Sequence, residues 1–154
     1  NESYSDAIDV DFSNGSLKNI LVKNSGNDGI DFSDSEIIMD NITVIKSKDK
    51  AISVGEGSKV AFKDINLKGN FIGIAVKDGS IFSGNKINVF NSEYDFVIFK
   101  KKQEYNYPTT IIDNYITNAK EKSFLIGNGS FLKINKEIYN SNKEDKNIFK
   151  LIYD

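Results

Sequence analysis

Four side chains are missing from this 154-residue chain, and each absence closes a route to function. Without cysteine there are no disulfides, thiol nucleophiles or cysteine-ligated metals. Without histidine there is no Ser-His-Asp triad, no histidine-bound zinc and no imidazole acid–base chemistry. Arginine is absent as well, so all 20 basic residues are lysine; the formal charge is −2 with both signs interspersed, which makes nucleic acid a poor partner. Tryptophan is absent, leaving Phe and Tyr as the aromatic faces. Long apolar runs are missing too. Mean hydropathy is −0.38 and no window approaches the roughly 18 apolar residues of a membrane span, so membrane insertion is not expected.

What is present is a period. Ile8, Ile30, Ile52 and Ile74 lie 22 residues apart in the phrases Asp6-Ala-Ile-Asp-Val, Asp28-Gly-Ile-Asp-Phe, Lys50-Ala-Ile-Ser-Val and Ile72-Gly-Ile-Ala-Val. A fixed period of this length marks a solenoid in which one repeat is one coil. Three short apolar segments recur in each repeat. The first alternates, with Ile8, Val10 and Phe12 facing one way and Asp9 and Asp11 the other. The second follows Gly-Ser or Asp-Ser. The third starts at Ile20, Ile42, Ile65 and Ile87, spacings of 22, 23 and 22 with one slip. Polar pairs such as Lys18-Asn19, Asp40-Asn41 and Lys63-Asp64 separate the last two segments and suit sharp corners. The pattern predicts an all-β, three-sided parallel β-helix of about six coils.

One β-helix domain is expected over residues 1–154. The only proline, Pro108, ends a polar stretch that predicts a loop excursion over 100–108, and residues 140–154 are expected to form a C-terminal cap over the last edge strands. The first residue is Asn, no leader pattern precedes the repeat, and the coils are running by Asp6. These features predict the C-terminal part of a longer protein, with an N-terminal domain of the same chain as partner.

The phrases at Asp6–Ser13, Gly26–Ser33, Ala51–Ser58, Gly73–Ser80 and Phe99–Pro108 resemble the right-handed parallel β-helix repeats of the pectin-lyase-like superfamily, in their bacterial surface or secreted form. The likeness spans roughly residues 5–139. It implies the handedness and an extracytoplasmic bacterial setting, in some proteins beside a spore-coat-kinase-like domain. Asn27-Asp28-Gly-Ile resembles the paired-Asp motif of polygalacturonases, but the Gly-His-Gly and Arg-Ile-Lys motifs of that family have no counterpart in a chain without His or Arg. A working polygalacturonase is excluded.

Candidate chemistry follows from the stacking. Asp9 and Asp31 are one period apart with Asp11 beside them, and Asp6 and Asp28 form a second column at the preceding corner. Carboxylates about 5 Å apart repel unless one is protonated or a cation lies between them. Asp9, Asp11, Asp31 and Asp28 are therefore candidate ligands for calcium, the one cofactor considered. Asp9, Asp31 and Asp11 are candidate catalytic groups, since a pair about 5–5.5 Å apart suits a retaining glycosidase. The competing explanation is that exposed strand positions are polar and that Asp before Gly-Ile forms a corner. Lys50 under Asp28, or Lys77 beside Asp78, supplies a base for a lyase on paper, against a solvated, charge-paired face. Asp34, Glu56 and Asp78 form a further column, read with Ser35, Ser58 and Ser80 as corner formers. Tyr105 and Tyr107, near Lys100–Lys102, offer a platform for a sugar ring or a cover for the coil.

The leading expectation is a non-catalytic or accessory module binding polysaccharide or another surface protein. The alternatives are a polysaccharide-active enzyme (calcium-dependent lyase, epimerase or glycosidase) and a rigid spacer.

Overall fold

The computed structural model describes residues 3–121 and 123–154. It is a β-solenoid of about six turns, 58 % strand and 6 % helix. Each turn contributes one short and one long strand. The short ones are β1 (Ile8–Asp11), β3 (Ile30–Ser33), β5 (Lys50–Gly55), β7 (Ile72–Lys77), β9 (Tyr94–Phe99) and β11 (Phe124–Ile126). They pair in parallel in that order. The long ones are β2 (Asn14–Lys23), β4 (Glu36–Ile45), β6 (Lys59–Lys68), β8 (Ile81–Phe90) and β10 (Thr109–Thr117), continued by β12 (Phe131–Ile134). They form a second parallel ladder, closed by the antiparallel β13 (Glu137–Tyr139).

The isoleucine period is one vertical column of the core. Ile8, Ile30, Ile52, Ile74, Phe96 and Phe124 are successive register partners. Beside them stack Val10, Phe32, Val54, Val76, Ile98 and Ile126. Alternation puts these side chains inside and the intervening residues outside. Within each long strand the alternation slips once. Met39 and Ile42, or Phe62 and Ile65, are both buried across the polar pair between them. That slip is a corner, and it gives every coil three flat segments. In the first two coils it rests on a left-handed residue, Asn19 and Asn41 (φ 55° for both), whose amides bond from coil to coil at 2.8 Å.

The 22, 23, 22 spacing has a local cause. The corner after the short strand uses one left-handed residue in the first two coils, Phe12 and Asp34, and two in the next, Glu56-Gly57. The pairings Ser33 with Gly55 and Glu36 with Lys59 place the extra residue there. Asp78-Gly79 keeps the two-residue form. The larger step lies at residues 100–108, which leave the ladder between β9 and β10. At Gly84 the chain passes close to Phe62, where a Cβ would come 2.6 Å from the ring that stacks on Phe82 at 4.6 Å.

The tail closes the C-terminal end in two ways. The Asn142 side chain accepts the Ile126 N–H (2.9 Å) and donates to the Phe124 carbonyl (2.7 Å), satisfying the last short strand. The final apolar segment is then a helix, α1 (Asp145–Tyr153), not another strand. Ile148 and Ile152, one turn apart, bury against Ile72, Ala75, Val97 and Phe99 on the outer face of the short-strand ladder. Among the described residues no helix is long and apolar enough to cross a membrane.

Candidate functional site

The outer face of the short-strand ladder changes character along the stack. Its central column runs Asp9, Asp31, Ser53, Ala75, Val97, Leu125. The first two coils are acidic and open; the fourth to sixth are apolar and lie under α1.

Asp9 and Asp31 are register partners, so the structure brings this pair together. Burial and then repulsion from Asp11, Asp31 and Asp6 hold the Asp9 carboxyl above its ordinary range. Asp28 is not part of that pair. It is buried, 4 % exposed, with Lys50 at 3 %. Its Oδ1 accepts the Lys50 N–H at 3.0 Å and lies 3.4 Å from Lys50 Nζ. Lys50 Nζ also bonds Asp49 and sits 5.0 Å from the centre of the Tyr153 ring of α1. Burial pushes Asp28 up to about 6 against the pull of Lys50 and its N–H. Burial works to lower Lys50, but Asp28, Tyr153 and Asp49 outweigh it and raise it. Asp6 has the role of Asp28 one coil earlier, with its Oδ1 accepting the Asp28 N–H at 2.9 Å. Among the described residues no three or more acidic side chains are grouped to hold a metal ion.

The column of Asp34, Glu56 and Asp78 takes up left-handed corners, with φ of 45°, 56° and 51°. Asp78 Oδ1 accepts the N–H groups of Lys101 and Lys102, each at 2.7 Å, and so fixes the start of the excursion. Lys102 pairs with Glu56. The serines stitch the same corner: Ser13 N–H bonds Ser35 Oγ at 3.0 Å and Ser35 N–H bonds Ser58 Oγ at 3.1 Å. Lys77 sits beside this corner, near Gly55. Tyr105 covers the Gly57 and Gly79 turns, whereas Tyr107 is half exposed, with its ring at Gly129 and Lys100 Nζ 4.4 Å from the ring centre.

One concavity among the described residues had no signature along the sequence. It is a cleft of about 420 Å³ between the excursion and α1. Lys100 and Lys101 line one side, Lys146 and Lys150 the other, with the half-exposed Phe149 ring between them. Asp145 joins the two sides by accepting the Lys100 N–H at 2.9 Å. Lys101 Nζ lies 4.5 Å from the centre of the Tyr153 ring and 5.8 Å from that of Phe149. The sequence signals for these residues are the Lys100–Lys102 run on the excursion and the Ile148/Ile152 spacing of α1, and neither tells which surface packs against which.

No protein-family model, no curated protein and no solved structure matches the chain.

Proposed function

We propose that the chain is a non-catalytic binding module of a bacterial surface or secreted protein, holding polysaccharide on the lateral face built by α1 and residues 100–108. The observation that carries this is the cleft of about 420 Å³, an aromatic ring set among polar side chains. Small-ligand sites of roughly 300–1,000 Å³ combine an apolar floor with a few polar groups, which is what a sugar ring with one C–H face and a rim of hydroxyls requires. Catalysis is disfavoured on chemical grounds. Asp28, whose carboxyl titrates at about 6, is buried against Lys50 and out of reach of a polymer. Asp9 and Asp31 stand side by side on an open strand face, away from the cleft that would hold a sugar.

A glycan array probed with the wild type and Phe149→Ala tests the reading, together with reducing-end and unsaturated-product assays on the glycans bound. Binding without cleavage, weakened at least several-fold by Phe149→Ala, is expected. No glycan signal overturns the binding role, and released product overturns the non-catalytic one.

A further inference from the structure

The cleft is a local reversal of charge. The chain as a whole is −2, yet four lysines and two acids, Asp145 and Asp154, line this one concavity. Asp145 accepts the Lys100 N–H through Oδ1 and keeps its charge, so with Asp154 counted the lining carries a formal excess of two positive charges. Among the described residues none of the four ammonium groups is ion-paired with Asp145 or Asp154. Lys100 and Lys101 rest over aromatic rings, not against carboxylates. Lys146 pairs with Glu144 at 3.1 Å, but both side chains are more than half exposed and such a pair is weak. We infer that the sugar unit held between Lys100, Lys101, Lys146 and Lys150 carries a phosphate group, an inference that rests on the polysaccharide reading of the same cleft.

The choice of phosphate over carboxylate follows from charge and shape. A carboxylate brings one charge in one plane, and its strongest partner is the planar guanidinium fork, which this chain lacks entirely. An ammonium is a compact point charge with three rotatable donors. Several of them on flexible stems along the two walls of one cleft suit a tetrahedral group with oxygens on all sides. A phosphomonoester carries about −1.5 to −2 near neutrality, so it offsets two lysines where a uronate offsets one. Phe149 makes the ligand amphipathic. Inorganic phosphate would leave that ring uncovered, while a phosphorylated sugar covers it and fits a volume of about 420 Å³.

Calorimetric titration with glucose 6-phosphate, glucuronate and glucose at low salt, on the wild type and on Lys101→Gln/Lys150→Gln, tests this. Glucose 6-phosphate should bind at least tenfold tighter than glucuronate, lose at least tenfold in the double variant and weaken as salt is added. Lys150→Glu, on an exposed helix position, provides a second variant whose fold is checked by its amide-exchange pattern. Equal or tighter binding of glucuronate or glucose overturns the phosphate assignment while leaving the polysaccharide reading in place. Unchanged affinity in both variants overturns the location. Glycan binding on the array with no response to glucose 6-phosphate sinks this inference alone; silence in both experiments sinks both.

Discussion

The two ends of the short-strand ladder share a backbone and differ in what covers them. At coils four to six the outward residues Ala75, Val97 and Leu125 lie beneath α1, and inward residues such as Ile74 and Phe96 are fully buried. At coil one the outward residues are Asp9 and Asp11, the strand has a neighbour on one side only among the described residues, and Ile8 and Val10 are half buried. The same 22-residue phrase therefore occupies two environments. A repeat in a solenoid draws its stability from its neighbours as much as from itself.

The sharpest way to expose the difference is to cut the same side chain at both ends. Ile74→Ala leaves a cavity in a fully enclosed column and should cost about 4 kcal/mol. Ile8→Ala, one end of that column, loses a half-exposed side chain and should cost about 1 kcal/mol. Urea unfolding of the two variants measures both. Equal costs would mean that coil one is as enclosed as coil four.

The second contrast lies where the covered and open halves meet, at Asp28, Lys50 and the Tyr153 ring. Asp28 titrates at about 6 instead of 3.8 because burial opposes its charge. The folded state therefore holds that proton more tightly than the unfolded chain. Its stabilising effect is complete below 3.8 and is lost as pH rises through about 6. The shift corresponds to about 3 kcal/mol. Asp28→Asn keeps an acceptor for the Lys50 N–H and removes the titration. Between about pH 4 and about pH 7 its stability should rise relative to wild type by up to about 3 kcal/mol. A difference that does not change with pH would show that the Lys50 ammonium and its backbone N–H already offset the burial of Asp28.

The helix is the third lever. Ile148 is fully buried on the apolar half of the ladder, and Ile148→Ala should cost about 2 kcal/mol, the low end for an isoleucine, because a surface helix relaxes more readily than a closed coil. Amide exchange should quicken in α1 and β7–β11 and stay unchanged in β1–β4.

The residues legible from sequence are those governed by the period. The Ile8–Ile74 column, the existence of one slip and the corner serines follow from the repeat, because a register written in the chain becomes a register in space; that the slip falls at Glu56-Gly57 does not. The Asp9–Asp31 pairing was legible for the same reason. Asp28 was not. Its spacing matches an exposed corner with Lys50 under it, but not the burial of the pair, and Lys50 Nζ sits over a tail ring more than 100 residues away in sequence. The cleft was hidden in the same way. Lys100 and Asp145 are 45 residues apart, and nothing periodic connects an excursion to a helix laid back over the coils. What lies within the repeat can be read locally; what is folded onto it depends on tertiary contact.

The smallest effect concerns the open end, and its sign distinguishes scaffold from site. Asp9 is exposed, and its carboxyl is raised by burial and by Asp11, Asp31 and Asp6, so its charge works against the folded state once the pH exceeds its folded pKa. Asp9→Asn should therefore stabilise the protein at about pH 7 by a few tenths of a kcal/mol, as expected for removing one like-charge neighbour on an exposed strand pair. The gain should shrink in high salt, where exposed charges are screened, and vanish in acid, where Asp9 is neutral in either state. A cation held between Asp9 and Asp31 would invert the result. In about 5 mM calcium the wild type would then become the more stable protein, and equal ionic strength from sodium would not reproduce the change. With the carboxylates serving only as solvated strand residues, calcium and sodium at matched ionic strength should leave the same small advantage to Asn, as measured by thermal unfolding of the two proteins side by side.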